Sequence, residues 1–196
     1  MKKILLILGL LLFTAGSALA YTMPRWGMTS IDVYLPESQY EGTVRSAFNQ
    51  WAQATNGRVK FRFNSTRFFS NNAPIKINFV NEKTSYFIVG AKRFETTGYF
   101  TNMDEGFINR ANLTIYTINR ENKTVTNDEL LRNLLPEIGY ILGLEKIYGP
   151  CLEESVMCYE QYGKSSTLTS KDRRSMVEKY TRTGNEIKKN NPNTEE

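Results

Sequence analysis

The chain holds 196 residues with a formal net charge of +5, and it contains no histidine. The missing imidazole excludes every metal site or catalytic dyad built on that ring. Two of the positive charges, Lys2 and Lys3, belong to a leader-like N-terminus; losing them takes the balance from +5 to +3, too mild to support nucleic-acid binding.

Lys2-Lys3 precede an apolar run from Ile4 to Phe13, and the segment Thr14 to Ala20 ends in Ala18-Leu19-Ala20. That is a charged n-region, an h-region and an A-x-A cleavage end. We expect residues 1–20 to be a signal peptide, 21–181 a folded domain and 182–196 a polar flexible tail. The h-region is short for a membrane span, and no cysteine sits at the cleavage point to carry a lipid. The mature chain of 176 residues, from Tyr21 to Glu196, is long enough for one domain with a real core. No second apolar span follows, so the protein is expected to be secreted or periplasmic. Its only cysteines are Cys151 and Cys158. Export favours a disulfide between them over two free thiols, closing a small loop directly ahead of the methionine turn.

The body reads as mixed α and β. Ile31 to Leu35 alternates apolar and polar before Pro36, which predicts a strand. Val44, Ala47, Phe48, Trp51 and Ala52 recur at helical spacing, and Asn56-Gly57 ends that helix with residues able to take positive φ. Val59 to Phe63 and Ile75 to Val80 predict further strands, separated by a turn-rich stretch from Asn64 to Pro74. Tyr86 to Val89 is apolar, and Gly98 to Thr101 suits a short edge strand. Leu113 to Tyr116 is another strand. Thr126-Asn127-Asp128-Glu129 is a capping box, and Leu130, Leu131, Leu134, Leu135, Ile138, Ile141 and Leu142 give the helix after it a wide apolar face. Pro136 inside it should kink or interrupt the helix. A last helix starts near Leu168-Thr169-Ser170-Lys171-Asp172 and runs through Tyr180.

Within the proline-bearing helix lies the most informative stretch, Pro136-Glu137-Ile138-Gly139-Tyr140-Ile141-Leu142-Gly143-Leu144-Glu145-Lys146. It keeps the frame of the zinc-protease motif H-E-x-x-H-x-x-G-x-x-H, in which histidines four apart on one helix face converge on a metal. The glutamate of that motif is the general base on metal-bound water. Here Pro136, Tyr140 and Lys146 stand at the three histidine positions. Glu137 and Gly143 remain, and Met157 follows at the place of the methionine turn. Without the ion, water keeps its high pKa and a lone carboxylate activates it poorly.

The chain resembles the matrixins, the matrix-metalloprotease-like branch of the metzincins. The likeness includes Arg25-Trp26 ahead of the first strand, Val44-x-x-Ala47-Phe48-x-x-Trp51 in the first helix, and Val59-Lys60-Phe61. It continues through Ile108-x-x-Ala111-x-Leu113-x-Ile115 and Leu168-Thr169-x-x-Asp172. It runs from about Pro24 to Tyr180 in the expected order. The resemblance implies an α+β fold: a twisted, mostly parallel five-stranded sheet with two long helices and a C-terminal helix, and a cleft above a central helix. It implies zinc-dependent cleavage of peptide bonds as the family activity. That activity transfers residue by residue, and the ligand positions do not match. Glu137 matches the general base, expected to be inactive here, and Met157 the turn methionine. No cofactor is expected, and no metal. The mature chain begins too close to its first strand for the inhibitory propeptide of many matrixins.

The leading reading is a secreted matrixin-like pseudoprotease that binds a protein or peptide through its cleft or loops. One alternative is an active zinc metalloendopeptidase with non-standard ligands, for instance Tyr140 with Glu137 or Glu145. Another is a structural envelope protein. Asp104-Glu105 is read as an exposed turn rather than a calcium site. Asn64-Ser65-Thr66, Asn112-Leu113-Thr114 and Asn122-Lys123-Thr124 are glycosylation sequons, the second lying in a strand. Without a metal, Glu137 is left in a partly enclosed cleft, where an unpaired carboxylate is costly. Two arrangements are open: Lys146 pairs with Glu137 while the Tyr140 hydroxyl joins them, or Lys146 and Glu137 each face water.

Overall fold

The structure, a computed structural model, describes residues 24–84, 87–97 and 106–189. The leader and cleavage site, the edge strand expected at 98–101 and Asp104-Glu105 lie outside them.

Six strands form one sheet: β1 (Arg25–Trp26), β2 (Ser30–Tyr34), β3 (Lys60–Asn64), β4 (Ile75–Lys83), β5 (Val89–Thr97) and β6 (Gly106–Ile118). The spatial order is β3-β2-β4-β6, continued by β5 on the outer side of β6. The two-residue β1 pairs with Phe107 and Ile108, extending the line of β4 beside β6. All pairings are parallel except β5 with β6. Five strands of ordinary length match the expected sheet, and the short β1 is additional. Alternation is the local cause: Ile31 and Val33 of β2, and Ile75 and Ile77 of β4, are fully buried while their neighbours are not.

Among the described residues there are three long helices, α1 (Glu41–Ala54), α3 (Asn127–Ile141) and α4 (Ser170–Lys189), with one turn, α2 (Arg67–Ser70), in the stretch read as turns. α1 buries Val44, Ala47, Phe48, Trp51 and Ala54 along one face. It ends where Asn56 and Gly57 take positive φ, as expected. α3 starts on the Thr126–Glu129 capping box. It is one continuous helix across Pro136, so of the expected kink or interruption there is no interruption. A mid-helix proline costs about 3 kcal/mol. Complete burial of Leu134, Leu135, Ile138 and Ile141 outweighs that, and the Trp51 indole N–H donates to the Leu135 carbonyl at 2.9 Å beside it. α4 continues to Lys189, past Thr181, where the sequence reading ended it.

α3 packs between α1 and β5. This places its C-terminal turn under the outer edge of the sheet.

Candidate functional site

The end of α3 carries the site, and its position is fixed by unusual capping. The last carbonyls of a helix lack partners within it. Here the Arg93 guanidinium donates to the Tyr140 carbonyl at 2.9 Å, the Trp26 indole to Ile141 at 2.8 Å, and the Tyr180 hydroxyl to Leu142 at 2.9 Å. Arg93 also reaches the Leu144 carbonyl and the Glu145 carboxylate. Gly143 then takes φ +99°, and a Cβ there would collide with the Pro24 carbonyl oxygen. The chain reverses at that point, as the motif requires.

The returning segment is pinned. The Ile147 N–H donates to the Met157 carbonyl, and the Tyr159 N–H to the Ile147 carbonyl, both at 2.9 Å. Met157 is buried against α3, where a Cβ on Gly139 would meet its sulfur at 2.5 Å. The Cys151–Cys158 disulfide is formed. Its loop includes Met157 instead of preceding it, a small correction to the expected placement. Asp172 of α4 holds the same turn from below. Its buried carboxylate accepts from Ser155 Oγ at 2.6 Å, from the Val156 N–H at 3.2 Å, and from the Thr169 N–H and hydroxyl.

This scaffold delivers Lys146 onto Glu137, with Nζ 2.7 Å from Oε1. Their side chains are 19% and 4% exposed. Of the two open arrangements, the structure shows the pair. The Tyr140 hydroxyl does not join it. Instead the Tyr140 ring faces the ammonium at 5.1 Å from its centroid, held by the Arg93 guanidinium stacked at 4.3 Å. Tyr162 presents a second ring to the ammonium at 5.5 Å. Pro136 is buried within α3 and offers no donor atom.

Burial pushes the Glu137 carboxyl above the usual carboxylate range; the Lys146 hydrogen bond and charge, and the Ala91 main chain, offset this only in part. One carboxylate oxygen, Oε2, is buried without a hydrogen-bond partner, and so is Tyr162 Oη. Burial first, then the Glu137 charge, pushes the Tyr162 phenol above its ordinary value.

The donor set does not fit zinc, which takes nitrogen, sulfur and carboxylate ligands. The three ligand positions offer a proline ring, a phenol that faces Arg93 and an ammonium tied to the would-be base. No cluster of three or more His, Cys, Asp or Glu side chains that could hold a metal occurs among the described residues.

Above the pair runs the outer edge of β5, whose only partner among the described strands is β6. Tyr116 donates to the Ile88 carbonyl directly opposite it. By the alternation of antiparallel ladders, the backbone groups of Val89, Ala91 and Arg93 therefore face outward. Sequence reasoning placed Glu137, Lys146, Tyr140, Met157 and the cysteines. It missed Arg93, Tyr162 and Ala91. Only the aromatic richness near Tyr148, Tyr159 and Tyr162 hinted at a ring cluster there.

Compared with family models, the chain matches matrixin (peptidase M10) over residues 19–181. None of the curated proteins compared with it matches.

Proposed function

The chain belongs to the matrixin family of peptidases, and from that premise we propose that it is an exported, non-hydrolytic member that holds an extended peptide in its cleft. The observation that carries this reading is the Lys146–Glu137 pair at 2.7 Å. The ammonium engages Oε1 of the carboxylate that would otherwise act as base, so the cation beside that carboxylate is the protein's own lysine. A second support is β5, which has no strand partner other than β6 among the described residues and lies beside Glu137 through the Ala91 main chain; pairing of a peptide along such a strand needs no metal. Export is supported by the tripartite N-terminus and by the Cys151–Cys158 bridge. No helix among the described residues is long and apolar enough to cross a membrane.

The test combines elemental analysis of the purified mature domain with peptide cleavage and peptide capture. We expect no stoichiometric zinc, no chelator-sensitive cleavage, and retention of unstructured peptides that is lost when their backbone amides are N-methylated. Stoichiometric zinc with chelator-sensitive cleavage overturns the proposal. Mass analysis of the exported form should begin at Tyr21, and an intact Met1 would count against processing.

A further inference from the structure

Lys146 is itself a ligand of the site it fills, and its fit is incomplete. Its ammonium contacts Oε1 of Glu137 and faces the rings of Tyr140 and Tyr162. A carboxylate flanked by aromatic faces is a cation site. Yet Glu137 Oε2 and Tyr162 Oη are buried with no well-formed hydrogen bond, the Ala91 main chain lying beside the carboxylate. Buried polar atoms in native proteins are nearly always satisfied, so two orphans beside one cation mark a place for further N–H donors. A guanidinium supplies them: two parallel N–H groups for both carboxylate oxygens, more for the phenol, and a flat face for the rings.

We propose that this cluster is an arginine-binding site, occupied in the resting protein by Lys146 and opened when an arginine side chain of a bound peptide displaces it. The proposal rests on the reading that the cleft holds a peptide and no metal.

Two more features favour such a ligand. Rings lead outward from the site: Tyr162 packs on Tyr159 at 5.6 Å, and Tyr159 on Tyr148 at 5.8 Å. Tyr159 and Tyr148 are 48% and 75% exposed, so they form a wall along which the methylene stem of an arginine can lie. The adjoining segment from Cys151 to Glu160 carries Glu153, Glu154 and Glu160 and no lysine or arginine. Glu153 is paired with Arg174 at 2.8 Å, so Glu154 and Glu160 supply the charge that complements a basic peptide. Displacement is physically accessible because Lys146 is already partly exposed and an ammonium on a flexible stem is readily hydrated.

The experiment uses the mature chain and N-acetyl-arginine methylamide as probe, with the citrulline and lysine analogues as controls, followed by calorimetry and by thermal melting. Lys146→Ala removes the built-in competitor. A site open a tenth of the time loses about tenfold in apparent affinity, so the variant should bind the arginine probe at least about tenfold more tightly than the unsubstituted chain. It should melt higher with the probe present. Adding Glu137→Gln should abolish both effects, and the neutral citrulline analogue should not bind. If Lys146→Ala folds only when the probe is present, that too supports the site. If it does not fold at all, the unsubstituted chain decides: arginine must bind in preference to citrulline, and Tyr162→Phe must weaken it. A folded Lys146→Ala chain that ignores arginine, binds citrulline equally, or prefers lysine overturns the proposal. The probe is a single residue, too short to pair along β5. Its failure therefore leaves the strand-addition reading standing, and its success does not depend on that reading.

Discussion

Replacing Lys146 by Met tests the central pair most directly. The substitution keeps much of the stem and removes the charge. Glu137 is then left with a side chain only 4% exposed and with no cation against Oε1, when Oε2 already lacks a partner. Removing one partner of a buried ion pair typically costs about 3–5 kcal/mol. Two features place this case near the lower end. Lys146 is partly solvated, and Glu137 already lies above the usual carboxylate range, so it can respond by taking a proton. We expect a loss of about 3 kcal/mol near neutral pH, shrinking in mild acid as protonation becomes easier. For a domain of this size that is a fall in Tm of roughly 6–12 °C. Chemical unfolding of Lys146→Met, Glu137→Gln and the double variant gives a complete cycle. The double variant should recover most of the loss, because the carboxylate that lacked a counter-ion is gone. If the two single losses simply add, the pair is not energetically coupled and the reasoning fails.

Three other outcomes follow from the same geometry. Arg93→Met should cost about 2–4 kcal/mol, because it strips hydrogen bonds from the carbonyls of Tyr140 and Leu144 near the end of α3; a loss below about 1 kcal/mol in urea unfolding would show that this capping is dispensable. Gly139→Ala should cost about 1–3 kcal/mol by overpacking, since its Cβ would lie 2.5 Å from the Met157 sulfur and 2.7 Å from the Trp51 ring; an unchanged melting curve would contradict the close approach. The raised Glu137 carboxyl predicts a pH dependence. With its folded value above its unfolded one, the native state holds the proton longer, so this contribution is present below the unfolded value of about 4.5 and is lost as pH rises through the folded value. The stability difference between the unsubstituted chain and Glu137→Gln should therefore move against the unsubstituted chain as pH rises through that range, and a flat difference would refute it.

Local signals carried much of this fold. The apolar spacing of α1, the capping box of α3 and the alternation of β2 and β4 each express a requirement met within a few residues. Residues whose roles depend on distant partners gave no such signal. β5 reads Val-Gly-Ala-Lys-Arg-Phe-Glu-Thr-Thr, charged and without clean alternation; its only partner among the described strands is β6, and its order comes from that ladder. Arg93 caps a carbonyl 47 residues away, and nothing around it in the sequence announces that. Pro136 shows the opposite case, since the helix is not interrupted there. A local rule forbids it, and packing by a fully buried helix face overrides the rule. The Lys146–Glu137 contact lay between these cases. The motif frame brought both residues to one place, but whether lysine turned inward depended on the Tyr162 and Tyr140 rings that receive it.

The cleft does not rely on Lys146 for its shape, and this bears on what Lys146 is free to do. In a zinc-bearing matrixin site the ion draws the helix and the returning segment together. Here that work is shared among contacts that bypass the ligand positions. Asp172 ties α4 to the turn before Met157, and Trp26 and Tyr180 fix the end of α3 from two other elements. The Ile147–Met157 hydrogen bond and the Cys151–Cys158 bridge hold the returning segment. With the scaffold held independently, the side chain at position 146 can leave its carboxylate without unravelling the walls around it. A lysine whose removal costs stability but leaves the walls in place is what a displaceable occupant requires, because an incoming cation restores the pair. If Lys146→Met lowers stability while the near-ultraviolet spectrum of the folded variant stays as it was, the walls are independent of their occupant. A change in that spectrum as large as the one produced by Asp172→Ala would instead make Lys146 part of the frame, and displacement by a ligand would then carry a structural cost the fold does not otherwise show.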